Sequence, residues 1–134
     1  MSDVAESEQI AAVRRFNEAF NRQDFEALLA DTGPDVVLHE WPDAPGAQSY
    51  RGPDGLRRAL ENWFESWEWM HVEIEDIEER DDQVMASLYQ RAQGRGSKAQ
   101  VEIHSFNVWS FKDGNVTEIR LFTDRESALA AFGK

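Results

Sequence analysis

The spacing of hydrophobic residues changes along the chain, and the change predicts helices first and strands afterwards. Between residues 8 and 22, hydrophobic residues recur every three or four positions, as in an amphipathic helix. The same period returns between residues 53 and 67, where most of the stripe is aromatic. From residue 71 to residue 122 the period becomes two, which predicts four strands separated by turn sequences. Short β-rich segments at 35–41 and 50–51 precede the second long helix.

Local sequence signals predict where the short helices begin and end. Asp24 is a typical N-cap for a short helix, which Gly33 and Pro34 are expected to end. Thr123, followed three residues later by Glu126, resembles a capping box and predicts a last short helix near the C-terminus. Helices therefore come first and antiparallel-type hairpins later, which indicates an α+β fold with helices packed on one face of a sheet.

Alternation along the third long strand separates two faces of the predicted sheet. The more apolar set should face the helices and consists of Val101, Ile103, Ser105, Asn107, Trp109 and Phe111. The outward set consists of Glu102, His104, Phe106, Val108 and Ser110. Ser105 and Asn107 interrupt the apolar face. A buried polar side chain needs a hydrogen-bond partner, so each is either bonded within the protein or lines a wet cavity.

Composition narrows the classes of protein. The 134 residues and 41% hydrophobic content suit one domain over 1–134, with its core at about 8–132. A net charge of −12 disfavours nucleic acid and anionic membranes as partners. The sequence has no cysteine, and its three histidines lack metal-ligand spacing, so we expect neither a metal nor a cofactor. Without a signal sequence or an apolar span, we expect a cytoplasmic location.

The layout resembles the NTF2-like superfamily, which includes ketosteroid isomerases, SnoaL-like polyketide cyclases and limonene epoxide hydrolases. The resemblance rests on VRRFNEAFNRQDFEAL at 13–28, DVVLHEWP at 35–42 with SYRGPDGLRRAL at 49–60, and NVWSFKDGNVTEIRLFTD at 107–124. It implies an NTF2-like (cystatin-like) cone, in which a curved, mainly antiparallel sheet wraps around the N-terminal helices and a short helix ends the chain. It also implies a homodimer formed through the outer sheet face, where Phe106 and Val108 make an apolar patch.

The resemblance implies positions for site residues. Ketosteroid isomerases use a tyrosine on the first helix, an aspartate base at the end of the first strand and an aspartic acid on a late strand. These positions look like Phe16, Glu40 and Asn107. Phe16 lacks a hydroxyl group, so one oxyanion donor is missing, whereas Asn107 can still donate through its amide. The aspartate of limonene epoxide hydrolases falls at a position that looks like Leu121, so their chemistry is disfavoured here.

We therefore expect an apolar pocket inside the cone, occupied by a small apolar ligand or substrate. Its predicted lining is Phe16, Phe20, Leu38, Tyr50, Phe64, Trp67, Ser105, Trp109 and Leu121. The leading interpretation is a SnoaL-like or isomerase-like enzyme that needs no cofactor and acts on a small cyclic carbonyl compound. Glu40 would move a proton next to the carbonyl, and Asn107 would stabilise the developing enolate.

Other interpretations of the same residues stay open. Glu40 is alternatively a solvated glutamate, or one paired with Arg51 across a short hairpin. Asn107 is alternatively a core residue bonded to a neighbouring strand or to a buried water. The aromatic residues, Trp41 among them, are often simply core. At the level of the whole protein, the alternatives are a non-catalytic ligand-binding protein and a dimeric adaptor whose cone is filled by side chains.

Overall fold

Four helices and six strands make up the described part of the chain, which is residues 6–40 and 48–133 of a computed structural model. The helices are α1 (Glu8–Arg22), α2 (Phe25–Leu29), α3 (Gly52–Ser66) and α4 (Arg125–Ala131). The strands are β1 (Thr32–His39), β2 (Ser49–Arg51), β3 (Trp67–Arg80), β4 (Gln83–Gly94), β5 (Gln100–Lys112) and β6 (Asn115–Phe122). The predicted α+β class is confirmed.

The six strands form one curved, unclosed sheet in the order β2-β1-β6-β5-β4-β3. The three long hairpins β3–β4, β4–β5 and β5–β6 are antiparallel, as the alternating pattern predicts. The exception is the pairing of β1 with β6, which is parallel. These two strands are neighbours in the sheet, although β2, α3 and β3 to β5 lie between them in the sequence. Shifts in register in β3, between Trp67 and Trp69 and between Ile74 and Asp76, bend the long strand. The sheet thereby curves around the helices as a cone.

The main core lies between the concave face of the sheet and the helices α1 to α3. Leu56 and Leu60 in α3 are one turn apart and almost fully buried, as the helical stripe predicts. Val13 in α1 and Ile119 in β6 are also almost fully buried and belong to the same core. Helix α1 packs against β3 and α3 packs against β1, so the two long helices close the cone from one side.

The end of α2 differs from the prediction. The helix begins after its N-cap Asp24, whose side chain accepts the N–H of Ala27, but it ends at Leu29. Gly33 and Pro34 lie inside β1 and do not end the helix. A proline has no N–H for a regular strand ladder, and the pairing of β1 with β6 is shifted in register around it.

The N-cap of α4 is Asp124, and the prediction of Thr123 was wrong. The Asp124 carboxylate accepts the backbone N–H of Ser127 at 2.7 Å and its hydroxyl at 2.9 Å. These two bonds favour the ionised carboxylate and hold the pKa of Asp124 below its usual range. The sequence offers two adjacent capping residues, and the aspartate takes the position because the helix begins one residue later than the capping-box pattern suggests.

Helix α4 covers part of the outer sheet face. Val108 in β5 and Met85 in β4 form a second buried cluster with Ala128 of α4 and with Phe132, which directly follows the helix. The predicted outward patch is thus occupied in part by the chain's own C-terminal segment. His104 stays exposed, with its ring beside Tyr89. A homodimer through the outer face stays a prediction.

Candidate functional site

An apolar cavity of about 300 Å³ lies between the helices and the concave face of the sheet. Helix α1 contributes Phe16 and Phe20, which are one turn apart on its buried face. Strand β5 contributes Asn107 and Trp109, which share one face because they are two residues apart. The rings of Phe16 and Trp109 meet edge to face, with their centroids 4.7 Å apart, and form one wall.

The structure places most of the predicted pocket residues around this cavity. Those that line it are Phe16, Phe20, Leu38, Trp67, Asn107, Trp109 and Leu121. They come from α1, β1, β3, β5 and β6, so every layer of the fold contributes. Trp41, which the sequence also suggested, lies outside the described residues. The remaining predicted residues, Glu40, Tyr50, Phe64 and Ser105, are not part of the lining.

Tyr50 and Phe64 pack outside the cavity for identifiable reasons. Tyr50 lies in the edge strand β2, where Gly55 of α3 lies against its backbone and Cβ. Phe64 turns toward α2, and its ring lies 5.6 Å from that of Phe25 and 5.0 Å from that of Phe20. Tyr50 therefore packs against α3, and Phe64 packs against α2. Both side chains contribute to the core instead of to the lining of the pocket.

Ser105 lies behind the wall of the cavity and is bonded within the protein. Its hydroxyl, in a fully buried residue, accepts the Nε2 amide of Gln90 at 2.7 Å. Gln90, and not Ser105, lines the cavity. Alternation along β4, which places Ala86, Leu88 and Gln90 on one face, would have identified this glutamine from the sequence.

Glu40 follows the end of β1 and does not line the cavity, in contrast to the prediction. Its Oε1 accepts the backbone N–H of Gln48 at 3.0 Å, and its own N–H donates to the Gln48 carbonyl. These two bonds close the short connection between β1 and β2. Glu40 lies one residue beyond the end of β1 at His39, and its side chain is held by the Gln48 N–H instead of lining the cavity with Leu38.

Two asparagines of α1, which sequence reasoning missed, fix the helix to the sheet beside the cavity. The Asn21 side chain accepts the N–H of Val72 at 2.8 Å and donates to its carbonyl at 2.9 Å. Asn17, one turn earlier, donates to the same carbonyl at 3.1 Å and also lines the cavity. Asparagines four residues apart on the face of an amphipathic helix are a usable sequence signal for such a contact.

Two buried polar atoms on the cavity side of β5 have no hydrogen-bond partner among the described residues. They are Oδ1 of Asn107 and Nε1 of Trp109. Both residues line the cavity, and Trp109 is only 3% exposed. Buried polar groups are nearly always paired in proteins, so these two atoms, which are covered within the wall of the cavity, are exceptions.

The cavity carries no ionisable side chain among the described residues that line it. Its polar side chains are amides, a hydroxyl and indoles, which are uncharged at any physiological pH. The shifted carboxyl groups lie elsewhere on the surface. Arg14 lowers the pKa of Glu6 through a hydrogen bond, and Lys98 does the same for Glu68. The described lining therefore offers hydrogen bonds and apolar contacts.

The described ranges contain no group of three or more metal-ligating side chains and no helix long and apolar enough to cross a membrane. The histidines lie on separate strands, and each approaches a glutamate. The three pairs are His39 with Glu118 at 2.8 Å, His71 with Glu73 at 3.7 Å, and His104 with Glu75 at 3.2 Å. All three pairs are partly or largely solvent-exposed, outside the cavity.

Helices packed on the concave face of one curved sheet, with an apolar cavity between them, define an α+β cone of the NTF2-like superfamily. The family model of the SnoaL-like domain matches residues 13–119. The chain therefore belongs to the SnoaL-like family, which confirms the resemblance found in the sequence. A search of curated proteins gives no match.

Solved structures share this fold at low sequence identity. An NTF2-like protein of unknown function from Burkholderia pseudomallei K96243 is 19% identical, with a TM-score of 0.82 over 96% of this chain and 100% of its own. TerC, co-crystallised with polyporic acid, is 19% identical, with a TM-score of 0.80 over 92% and 97% of the two chains. An LEH-like epoxide hydrolase from M. tuberculosis is 22% identical, with a TM-score of 0.72 over 92% and 87%. At these identities the comparisons show the fold alone.

Proposed function

We propose that this SnoaL-like domain binds a small, uncharged and largely apolar compound inside its cone. The observation that carries the proposal is the cavity itself, which is lined mainly by aliphatic and aromatic side chains and has no ionisable group in the described lining. A charged ligand would lose its hydration without gaining a counter-charge there, at a cost of several kcal/mol in typical cases. An apolar ligand gains roughly 25 cal/mol for each Å² of apolar surface removed from water.

The size of the cavity restricts the ligand to a compact molecule. A volume of about 300 Å³ is at the lower end of the range for small-molecule pockets, which fits a compound with one or two rings. The rings of Phe16 and Trp109, which meet edge to face, offer aromatic surface against which a ring of the ligand can pack. TerC, which shares this fold, was co-crystallised with an organic molecule, polyporic acid, and this supports the proposal that a protein of this fold binds such a compound.

Binding of naphthalene tests the proposal without knowledge of the natural ligand. We expect saturable, 1:1 binding by isothermal titration calorimetry at pH 7, with a Kd of roughly 10–100 µM for a compound of this size. The heat capacity of binding should be negative, since apolar surface is buried. Absence of binding, or weak binding without saturation and without a heat-capacity change, would contradict the proposal.

A second candidate function is acid–base catalysis on a cyclic carbonyl compound, with Glu40 as the base and Asn107 as the oxyanion donor. The observation in its favour is position: Glu40 follows the cavity-lining Leu38 by two residues and is only half-buried. For catalysis, its carboxylate would have to leave the Gln48 N–H and turn toward the cavity.

Exchange of the α-protons of cyclohexanone in D₂O, followed by NMR, tests this second candidate. If Glu40 transfers the proton, Glu40→Gln should slow the protein-dependent exchange by about 10²–10⁴-fold, the usual contribution of a general base. Binding of naphthalene should stay unchanged in this variant. Glu18→Gln, at an exposed position of α1, is the matched control. Exchange at the uncatalysed rate with the wild-type protein, or at full rate with Glu40→Gln, would exclude the mechanism.

A further inference from the structure

A serine, a histidine and a glutamate form a hydrogen-bonded chain on the outer face of the sheet, away from the cavity. The Nδ1 atom of His39 lies 2.8 Å from the hydroxyl of Ser49, and its Nε2 atom lies 2.8 Å from Oε2 of Glu118. Leu38 lines the cavity, so the next residue, His39, points to the opposite face of β1. The proposed binding of a ligand in the cavity therefore makes no use of this chain of side chains.

Three neighbouring strands hold these side chains in place. Strands β2, β1 and β6 lie side by side at one end of the sheet, and they carry Ser49, His39 and Glu118 in this order. The other carboxylate oxygen of Glu118, Oε1, lies 3.2 Å from the guanidinium of Arg120. Side chains on strands are positioned more precisely than side chains on loops. The imidazole ring is thus oriented from both sides.

The directions of the two hydrogen bonds follow from the chemistry of the partners. An ionised glutamate only accepts hydrogen bonds, so the Nε2 atom of His39 carries a proton and donates it to Glu118. In a neutral imidazole the other ring nitrogen then has a free lone pair, and Nδ1 accepts the hydroxyl proton of Ser49. This is the arrangement in which a histidine acts as a general base toward a serine while a carboxylate orients the ring.

The pairing of β1 with β2 directs the backbone N–H of Ser49 toward the free edge of the sheet. Glu40 donates its N–H to the carbonyl of Gln48, so these two residues form a hydrogen-bonded pair. Bonded and non-bonded pairs alternate along antiparallel strands, and the adjacent pair, His39 with Ser49, is therefore non-bonded. Non-bonded pairs bring the two side chains close together and turn their N–H groups away from the partner strand. Because β2 is the edge strand, no described strand covers the Ser49 N–H.

We propose that Ser49 is the nucleophile of a second site, independent of the cavity, that hydrolyses activated esters of small acyl groups. The Ser49 hydroxyl attacks the ester carbonyl and passes its proton to Nδ1 of His39, while the Ser49 N–H donates to the oxyanion. The tetrahedral intermediate expels the alcohol, which takes that proton, and an acyl ester is left on Ser49. A water molecule, deprotonated by His39, then releases the carboxylic acid and restores the serine. Glu118 orients the imidazole and is a positioning residue.

The surroundings of Ser49 restrict the class of substrate. Ser49 is exposed and His39 is partly exposed, so a bound ester keeps its contact with water and a long acyl chain gains little from burial. A single backbone N–H stabilises an oxyanion less than the usual pair of donors does. The leaving group must therefore be good. Both arguments favour acetyl-sized esters of acidic phenols.

Hydrolysis of 4-nitrophenyl acetate by the full chain at pH 7 tests the proposal. Release of 4-nitrophenolate gives the rate, and mass spectrometry of peptides should find an acetyl group on Ser49 during turnover. Ser49→Ala should lower the protein-dependent rate at least about tenfold, and His39→Gln should slow acetylation of Ser49 by about 10²-fold or more. The matched controls, which should keep the wild-type rate, are Ser97→Ala at another exposed serine and His71→Gln at an exposed histidine beside a glutamate.

A thiol at the same position tests the geometry without an ester. The chain contains no cysteine, so Ser49→Cys introduces a single thiol. His39 should favour the thiolate form, and iodoacetamide should alkylate this thiol at pH 7 about tenfold faster than when His39→Gln is added to the same variant. Adding Glu118→Gln should also slow the alkylation, because the ring loses its anionic partner. Adding Glu73→Gln, which removes the partner of His71, should not.

The outcomes decide the proposal separately from the proposed function of the cavity. Acetylation of lysines or histidines with none on Ser49, or an unchanged rate in Ser49→Ala, would overturn it and leave the three side chains as a structural contact between strands. An alkylation rate that does not depend on His39 would overturn it as well. Binding of naphthalene should be unchanged in every one of these variants, so it reports on the cavity and also shows that each variant is folded.

Discussion

Replacing Ala86 with leucine is expected to abolish naphthalene binding, with a loss of affinity of at least about 100-fold, or roughly 2.7 kcal/mol. Ala86 lies in the middle of β4, is fully buried and lines the cavity beside Asn107, its cross-strand neighbour in β5. Leucine adds three carbon atoms at this position, and they occupy the space in which the ligand packs. The variant should fold at least as stably as the wild type, because its larger side chain fills a cavity and does not overpack a filled core.

Calorimetry with naphthalene and urea unfolding followed by circular dichroism measure the two effects of Ala86→Leu together. Ala130→Leu, the same substitution at an exposed position of α4, is the control for the added apolar surface. A folded Ala86→Leu protein that binds naphthalene with the wild-type affinity would contradict the location of the binding site.

Leu28→Ala is expected to lower the free energy of unfolding by about 3–4 kcal/mol, and Leu60→Ala by only about 2–3 kcal/mol. Both leucines lie in helices and are 1% exposed, so helix propensity and burial are matched. They differ in surroundings: Leu60 lines the cavity, whereas Leu28 does not. Leu60 therefore has fewer packed neighbours to lose, because one of its sides faces open space.

Urea unfolding of both variants at pH 7 gives the comparison directly. Leu60→Ala should also enlarge the cavity and allow larger aromatic probes, such as anthracene, to bind. A cost for Leu60→Ala equal to or above that for Leu28→Ala would mean that Leu60 is packed on all sides. The cone would then be filled in solution, which is what an adaptor without a ligand requires.

Features that depend on a single element could be predicted from the sequence. The period of two along β5 is a rigid geometric rule, so it placed Asn107 and Trp109 on the inner face without knowledge of the neighbouring strands. The helical stripe in α3 likewise identified Leu56 and Leu60 as core residues. Asp24 was predicted as an N-cap because this role depends only on local backbone geometry.

Features that depend on two elements could not be predicted in the same way. The bond between Ser105 and Gln90 follows from the register of β4 against β5, which neither strand specifies alone. Glu40 turns away from the cavity because its side chain bonds to Gln48, across a connection that alternation does not describe. The packing of α4 against Val108 depends on tertiary structure. The sequence therefore predicted the outward patch of Phe106 and Val108 as exposed.

A crystal structure of the protein grown with 1-naphthol tests most directly whether the cone is an open cavity for a neutral ligand. The expected result is electron density for the two rings of the ligand inside the cavity, in contact with Phe16 and Trp109. Side chains that fill the cone and leave the naphthol outside, or a Glu40 carboxylate turned into the cavity, would contradict the account of this site as an uncharged binding pocket.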